Sequence, residues 1–234
     1  MTSYDDITIR RQALGGRRPV DGYPVKKDGL MDTIDAFPDV PITDCGPISR
    51  AFLARGWTTF GEACRQVHRM PYGYNTTRED PLILFRENQG SCTTKHMAVG
   101  LLAAELGLPI TKSIGVYAMT EALVTGAGRL AAEHGLPYIP VVHCFLSNGT
   151  QRVDLTEGNR NGKNGPIDTF LFTARVRPDI SEKEEYRLYR QALSTHVLNR
   201  KEMAGIDLKT ILKAREAALT LLKTNMQRQQ AEPT

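Results

Sequence analysis

The stretch Gln89-Gly90-Ser91-Cys92-Thr93-Thr94-Lys95-His96-Met97-Ala98-Val99-Gly100-Leu101-Leu102-Ala103-Ala104-Glu105-Leu106-Gly107-Leu108-Pro109 decides how this chain is read. From Met97 to Leu106 it is apolar on nearly all sides of a helical wheel, and a helix hydrophobic all round is buried all round. Gly107 supplies the stop and Pro109 prevents continuation. Cys92 stands directly behind Gly-Ser, at the first residue of the predicted helix. The unpaired N–H groups and positive dipole end of a helix stabilise a thiolate there. The same N–H groups can hold an oxyanion. Most free cysteines are simply small buried hydrophobes; the Gly-Ser-Cys start favours a nucleophile.

Downstream, residues 110–117 read as a strand and 120–134 as a helix closed by Gly135. Residues 138–145 and 151–155 read as strands flanking Ser147-Asn148-Gly149-Thr150, because Asn-Gly is the strongest short hairpin signal. With Asn148 and Gly149 as the central turn residues, Cys144 pairs with Val153 and His143 with Asp154. Directly opposed residues have Cβ atoms ~4.5–5.5 Å apart, within reach of a carboxylate–imidazole hydrogen bond. The carboxylate then fixes the tautomer and the other ring nitrogen faces a thiol. A His–Asp pair on a hairpin is also an ordinary surface feature; Cys92 upstream makes the catalytic pair the preferred reading. Cys144 is expected on the opposite face of the strand, in the core.

Working outward, residues 157–168 form a Gly/Asn-rich loop whose Gly158, Gly162 and Gly165 suggest a mobile gate. Phe170, Phe172, Ala174 and Val176 alternate as a strand. Ser181 and Glu184 form a capping box opening one C-terminal helix, and a second runs from Asp207 to about Met226. On the N-terminal side, Thr59-Phe60-Gly61-Glu62 is another capping box, followed by Phe60, Cys64 and Val67 at helical spacing and a stop at Met70-Pro71-Tyr72-Gly73. Helices, then mainly strands, then helices make an α+β pattern rather than βαβ alternation. The expected organisation is an extended arm over residues 1–45 that either wraps the domain or stays mobile, one domain over 46–226 and a frayed tail over 227–234.

The 234 residues are enough for one sizeable core. With 41% hydrophobic and 24% charged residues the composition is that of a globular protein, and the net charge of +4 comes without a basic block. Basic pairs at Arg17-Arg18 and Lys26-Lys27 lie in the arm. The first residues are acidic where a signal peptide would be basic, and no apolar run approaches the ~20 residues of a spanning helix. The four cysteines show no CxxC pair and no tight spacing with histidines, so neither a zinc site nor any other metal is expected, and reduced thiols in a cytoplasm follow. His68, His134 and His196 have no ligand spacing, and Cys64 lies on an apolar stripe.

The run from Gly90 to Pro109 resembles the cysteine-helix motif of the transglutaminase-like superfamily, in which a glycine shortly precedes the nucleophile and the helix ends in a Gly-apolar-Pro turn into a strand. His143 and Asp154, on successive strands, look like that family's second and third catalytic positions. The resemblance covers residues 85–157. It implies a papain-like α+β core, with the cysteine-bearing helix packed on an antiparallel sheet.

Secondary candidates surround these three. Gln89 is placed to donate to an oxyanion or to cap a loop. His96, one turn after Cys92, is a packing or substrate-lining residue. Lys95 and Arg86 would give an anionic substrate a positive wall, though solvated charges are the preferred reading, and Tyr72 and Tyr74 would line a cleft or cover a helix end. The reading is cysteine-dependent acyl transfer on an amide or thioester, giving hydrolysis or transfer to an amine, without a cofactor. The substrate is a small molecule, a peptide or a carrier-protein-bound acyl group, the last implying an amide-forming acyltransferase. A non-catalytic binding module on the same fold is the alternative. Nucleic acid is not expected, since basic residues of the C-terminal helices alternate with glutamates; nor is a membrane.

Overall fold

The computed structural model describes residues 33–232. The arm's basic pairs and the acidic first residues lie outside them, as do the last two residues of the tail. The described chain is mixed α+β, with seven α-helices and a four-stranded antiparallel sheet. Helices α1 (Pro47–Leu53), α2 (Phe60–Arg69), α3 (Ile83–Glu87) and α4 (Cys92–Glu105) come first. Then follow β1 (Ile110–Met119), α5 (Ala127–Glu133), β2 (Ile139–Asn148), β3 (Gln151–Val153) and β4 (Phe172–Val176). Helices α6 (Glu182–Ala192) and α7 (Leu208–Ala231) end the chain. The sheet order is β3-β2-β1-β4. Among the described residues no helix is long and apolar enough to cross a membrane.

Helix α4 is the axis of the N-terminal half, and its ends are built from side chains that also fasten its neighbours. Leu108 N–H donates to Ala103 O and Gly107 N–H to Ala104 O, with Gly107 at φ 67°. That is a Schellman stop, which needs the left-handed conformation glycine adopts freely. Glu105 accepts from the N–H groups of Ile48 and Ser49 and so caps the start of α1. Lys95, fully buried, donates to the carbonyls of His68 and Met70 at the end of α2. A buried ammonium is expensive unless paired, and two helix-terminal carbonyls are natural acceptors for it. Phe52, Phe60, Val67, Val99 and Leu102 fill one core with Leu146 and Val153 of the sheet. A second core joins the rest of the sheet to α5, α6 and α7.

Four expectations need correction. First, the hairpin register differs: Asn148 pairs with Gln151, and the turn residues are Gly149 and Thr150. Gly149 alone has positive φ (58°), the pattern of a turn with glycine in its first central position. Asn148 stays in β2 and donates its side-chain N–H to Ala36 O, a tertiary contact that outweighs the local Asn-Gly preference. Second, residues 120–126 are turns rather than helix, because Glu121 accepts from Gly126 and Gly128 N–H and caps α5 there. Third, the tail is not frayed through residue 231: α7 continues, with Gln229 and Gln230 bonded to other parts of the chain. Fourth, α1 and α3 stand where no helix was read. The described end of the arm, residues 33–45, packs on the domain, burying Ile34, Phe37 and Ile42 and bridging Pro41 to Thr59, the wrapping alternative of the two. The capping box of α2 is half as expected: Thr59 accepts from Glu62 N–H, but Glu62 reaches Thr58 N–H instead.

Candidate active site

Cys92 occupies the first turn of α4 behind the N-cap Ser91, and its side chain is partly exposed. The approach to it is held tightly. Ser91 N–H donates to Thr94 Oγ1, which itself donates to Asn75 Oδ1 at 2.7 Å. Gly90 N–H donates to Pro71 O, and Tyr72 bridges Gly90 as a short parallel strand. A Cβ on Gly90 would lie 2.9 Å from Lys95 Cγ and 3.0 Å from Thr94 Oγ1, so this lead-in requires glycine. The segment carrying Tyr72 and Tyr74 is thereby laid alongside the cysteine.

His143 lies on β2 opposite Gly115 of β1 and is almost wholly buried. Its Nε2 meets Asp154 Oδ2 at 2.5 Å. Asp154 sits one residue past β3. Extending the register would set it against Phe145, two residues from His143 but on the same side of β2. The even offset keeps the face, so the side chains meet although they are not cross-strand partners. Thr156 fixes the carboxylate by donating to Oδ1 from both its N–H (2.9 Å) and its hydroxyl (2.7 Å). With Nε2 committed to Asp154, Nδ1 is the nitrogen left for the thiol.

The electrostatics follow from these contacts. The neighbouring Cys144 thiol, and then the His143 charge, hold the Cys92 thiol well below its ordinary range against the effect of burial. Burial pushes the His143 imidazole down, but Asp154 and Cys92 outweigh it and hold it up at about 9. Burial likewise pushes Asp154 up, yet His143 and its hydrogen bond keep that carboxyl far below the usual range. These shifts all favour a thiolate–imidazolium pair backed by a carboxylate.

Cys92 and His143 open into one cleft of about 1110 Å³, lined also by Tyr72, Tyr74, Tyr117 and Lys163. Tyr117 was not singled out from the sequence. It lies on β1 opposite Val141, on the His143 face of the sheet, with its ring 6.4 Å from the His143 ring and at 89° to it. Its hydroxyl is buried and has no hydrogen-bond partner among the described residues. Burial pushes the phenol far up, so it is a neutral donor. An orphaned buried hydroxyl costs about 1–3 kcal/mol, and one facing a cleft is where a ligand acceptor fits. The readable signal was strand parity: residues 115 and 117 share a face.

The other candidates are placed differently. His96 is fully buried and away from the cleft lining: its Nδ1 bonds Cys92 O at 2.7 Å and its Nε2 accepts from Leu155 N–H at 2.8 Å. Gln89 gives its side-chain N–H to Tyr74 O and does not line the cleft. Lys95 caps α2, and Arg86 pairs with Asp80, so the positive wall expected from these two is absent from the cleft. Lys163, Lys183 and Lys223 line it instead. The loop of residues 157–168 is braced, not free: Gly162 N–H donates to Gln229 Oε1, Lys163 O accepts from Gln229 Nε2 and Asn164 N–H donates to Leu123 O. A Cβ on Gly162 would stand 2.5 Å from Leu222 O, so α7 presses directly on it. Among the described residues no group of three or more His, Cys, Asp or Glu is arranged to hold a metal ion. Comparison with protein-family models, curated proteins and solved structures finds no match to this chain.

Proposed function

We propose that this chain is a cysteine-dependent acyl-transfer enzyme acting on an amide or thioester, on a core of transglutaminase-like type. One observation carries the reading: a cysteine at a helix start and a histidine bonded to a partly buried, doubly anchored aspartate line the same cleft. The Cys92 thiolate attacks the carbonyl carbon, and the carbonyl electrons move to oxygen. His143, already protonated, gives its proton to the departing amine or thiol as the tetrahedral intermediate collapses to an acyl-enzyme. The neutral imidazole then takes a proton from water or an amine, which attacks the thioester and releases Cys92. Asp154 holds the ring and stabilises the imidazolium throughout. The Tyr117 hydroxyl and the first N–H groups of α4 are the oxyanion donors available to this scheme.

Intact-mass measurement after incubation with thioester and amide libraries tests it. One acyl adduct is expected, mapping to Cys92 and missing in Cys92→Ala. A library that leaves Cys92 unmodified, or modifies Cys45 equally, would favour a binding module instead.

A further inference from the structure

We propose that Lys163 and Lys223, each lying on the face of a cleft tyrosine, form an anion subsite beside Cys92, so that the acyl group taken here carries a negatively charged substituent close to its reacting carbonyl. This rests on Cys92 being the nucleophile. The cleft's ion pairs motivate it. Arg78 is engaged by Glu185 at 2.8 Å, and Arg215 by Glu216 at 2.5 Å. Of the remaining acids there, Glu182 lies 4.0 Å from Arg78 and Glu79 accepts from Glu182 N–H. Lys163 and Lys223 have no carboxylate within 4.0 Å among the described residues. Their ammonium groups lie 5.9 Å from the Tyr72 ring centre and 4.9 Å from that of Tyr74. The two rings meet edge to face at 6.1 Å, so the two cations sit on adjoining aromatic faces. Lys163 is not a loose surface lysine: Gln229 clamps its backbone and that of Gly162, and Asn161 Oδ1 accepts its N–H. A cation held by backbone bracing, near a thiolate and lacking a carboxylate, is an electrostatic receptor for an anion.

Iodoacetate and iodoacetamide test this, since both alkylate a thiolate by displacing iodide and differ in charge. Rates at Cys92 are read by peptide mass for the wild type, Lys163→Gln, Lys163→Arg and Lys213→Gln. Losing Lys163 also makes the thiolate less stable, but that acts on both reagents and cancels in their ratio. The iodoacetate-to-iodoacetamide ratio should fall about tenfold in Lys163→Gln and by less than about twofold in Lys163→Arg. In Lys213→Gln, which removes the same charge from α7 outside the cleft, it should also change by less than about twofold. An unchanged ratio in Lys163→Gln, or an equal fall in Lys213→Gln, overturns the subsite and leaves the nucleophile standing. Iodoacetamide labelling of Cys92 no faster than of Cys45 overturns the nucleophile, and the subsite with it.

Discussion

Two buried histidines flank the same carboxylate, and they end in opposite states. His96, on α4, and His143, on β2, have ring centres 6.3 Å apart and both approach Asp154, at 3.5 Å and 2.5 Å. Burial pulls His96 down to about 4, with Asp154 only partly opposing it. His143 is held up at about 9. The difference lies in what each ring nitrogen touches. His96 Nε2 accepts an N–H from Leu155, which requires an unprotonated nitrogen, so Nδ1 carries the proton and donates to Cys92 O. Both nitrogens are spent inside the protein, and the ring ties the Cys92 backbone to the residue following Asp154. His143 spends one nitrogen on Asp154 and keeps the other for the cleft. Nearness to a carboxylate does not make a histidine basic; the second hydrogen-bond partner decides. Of these two rings, the one satisfied internally holds the frame and the one left open faces the cleft.

Asp154→Asn should break the comparison most severely. It removes the carboxylate charge that holds His143 up, so acyl-enzyme formation should fall by about 10³–10⁴-fold. The His143 titration, followed by NMR, should move well below 9, while His96 keeps its Leu155 bond. Full retention of acyl transfer would reduce the triad to a dyad.

The pH dependence of stability separates the two rings by sign. His96 resists protonation when folded, so its contribution is present above about pH 6.5 and lost as pH falls toward 4, about 3 kcal/mol in all. His143 is the reverse: its contribution is present below 6.5 and lost as pH rises through about 9. Asp154 adds a loss only on acidification below its ordinary 3.8. Urea unfolding across pH should therefore show an acid slope between 6.5 and 4 that His96→Gln flattens and His143→Gln does not.

Tyr117→Phe sharpens the distinction between satisfied and open groups. Acylation of Cys92 by p-nitrophenyl acetate should slow by about 10–100-fold. Alkylation by iodoacetamide, which passes through no oxyanion, should stay within about twofold. Removing an unpartnered hydroxyl should leave the protein as stable or slightly more so. A destabilised variant with unchanged acylation would assign the hydroxyl to the frame.

The smallest effect is expected at the braced end of α7. Gln229→Ala removes two hydrogen bonds to the loop at Gly162 and Lys163, costing about 0.5–1.5 kcal/mol each. A melting curve should fall by a few degrees.

Much of this was readable along the chain. The apolar run after Cys92, its Gly107 stop, the Ser181 box and the Asp207 cap are local signals, and each marks an element that forms as read. Short α1 and α3 carry weak local signals, and Glu105, distant in sequence, supplies the cap of α1.

By itself the sequence determined the element types through hydrophobic period, caps and glycine positions, and it singled out Cys92, His143 and Asp154, because local chemistry needs only neighbouring residues. Tertiary structure decided the register, through Asn148 reaching Ala36. It also decided that Lys95 and His96 are frame residues, and that Tyr117 and Lys163 face the cleft. Those roles depend on partners dozens of residues away. No local pattern tells a satisfied polar group from an open one until the packing has placed its partners.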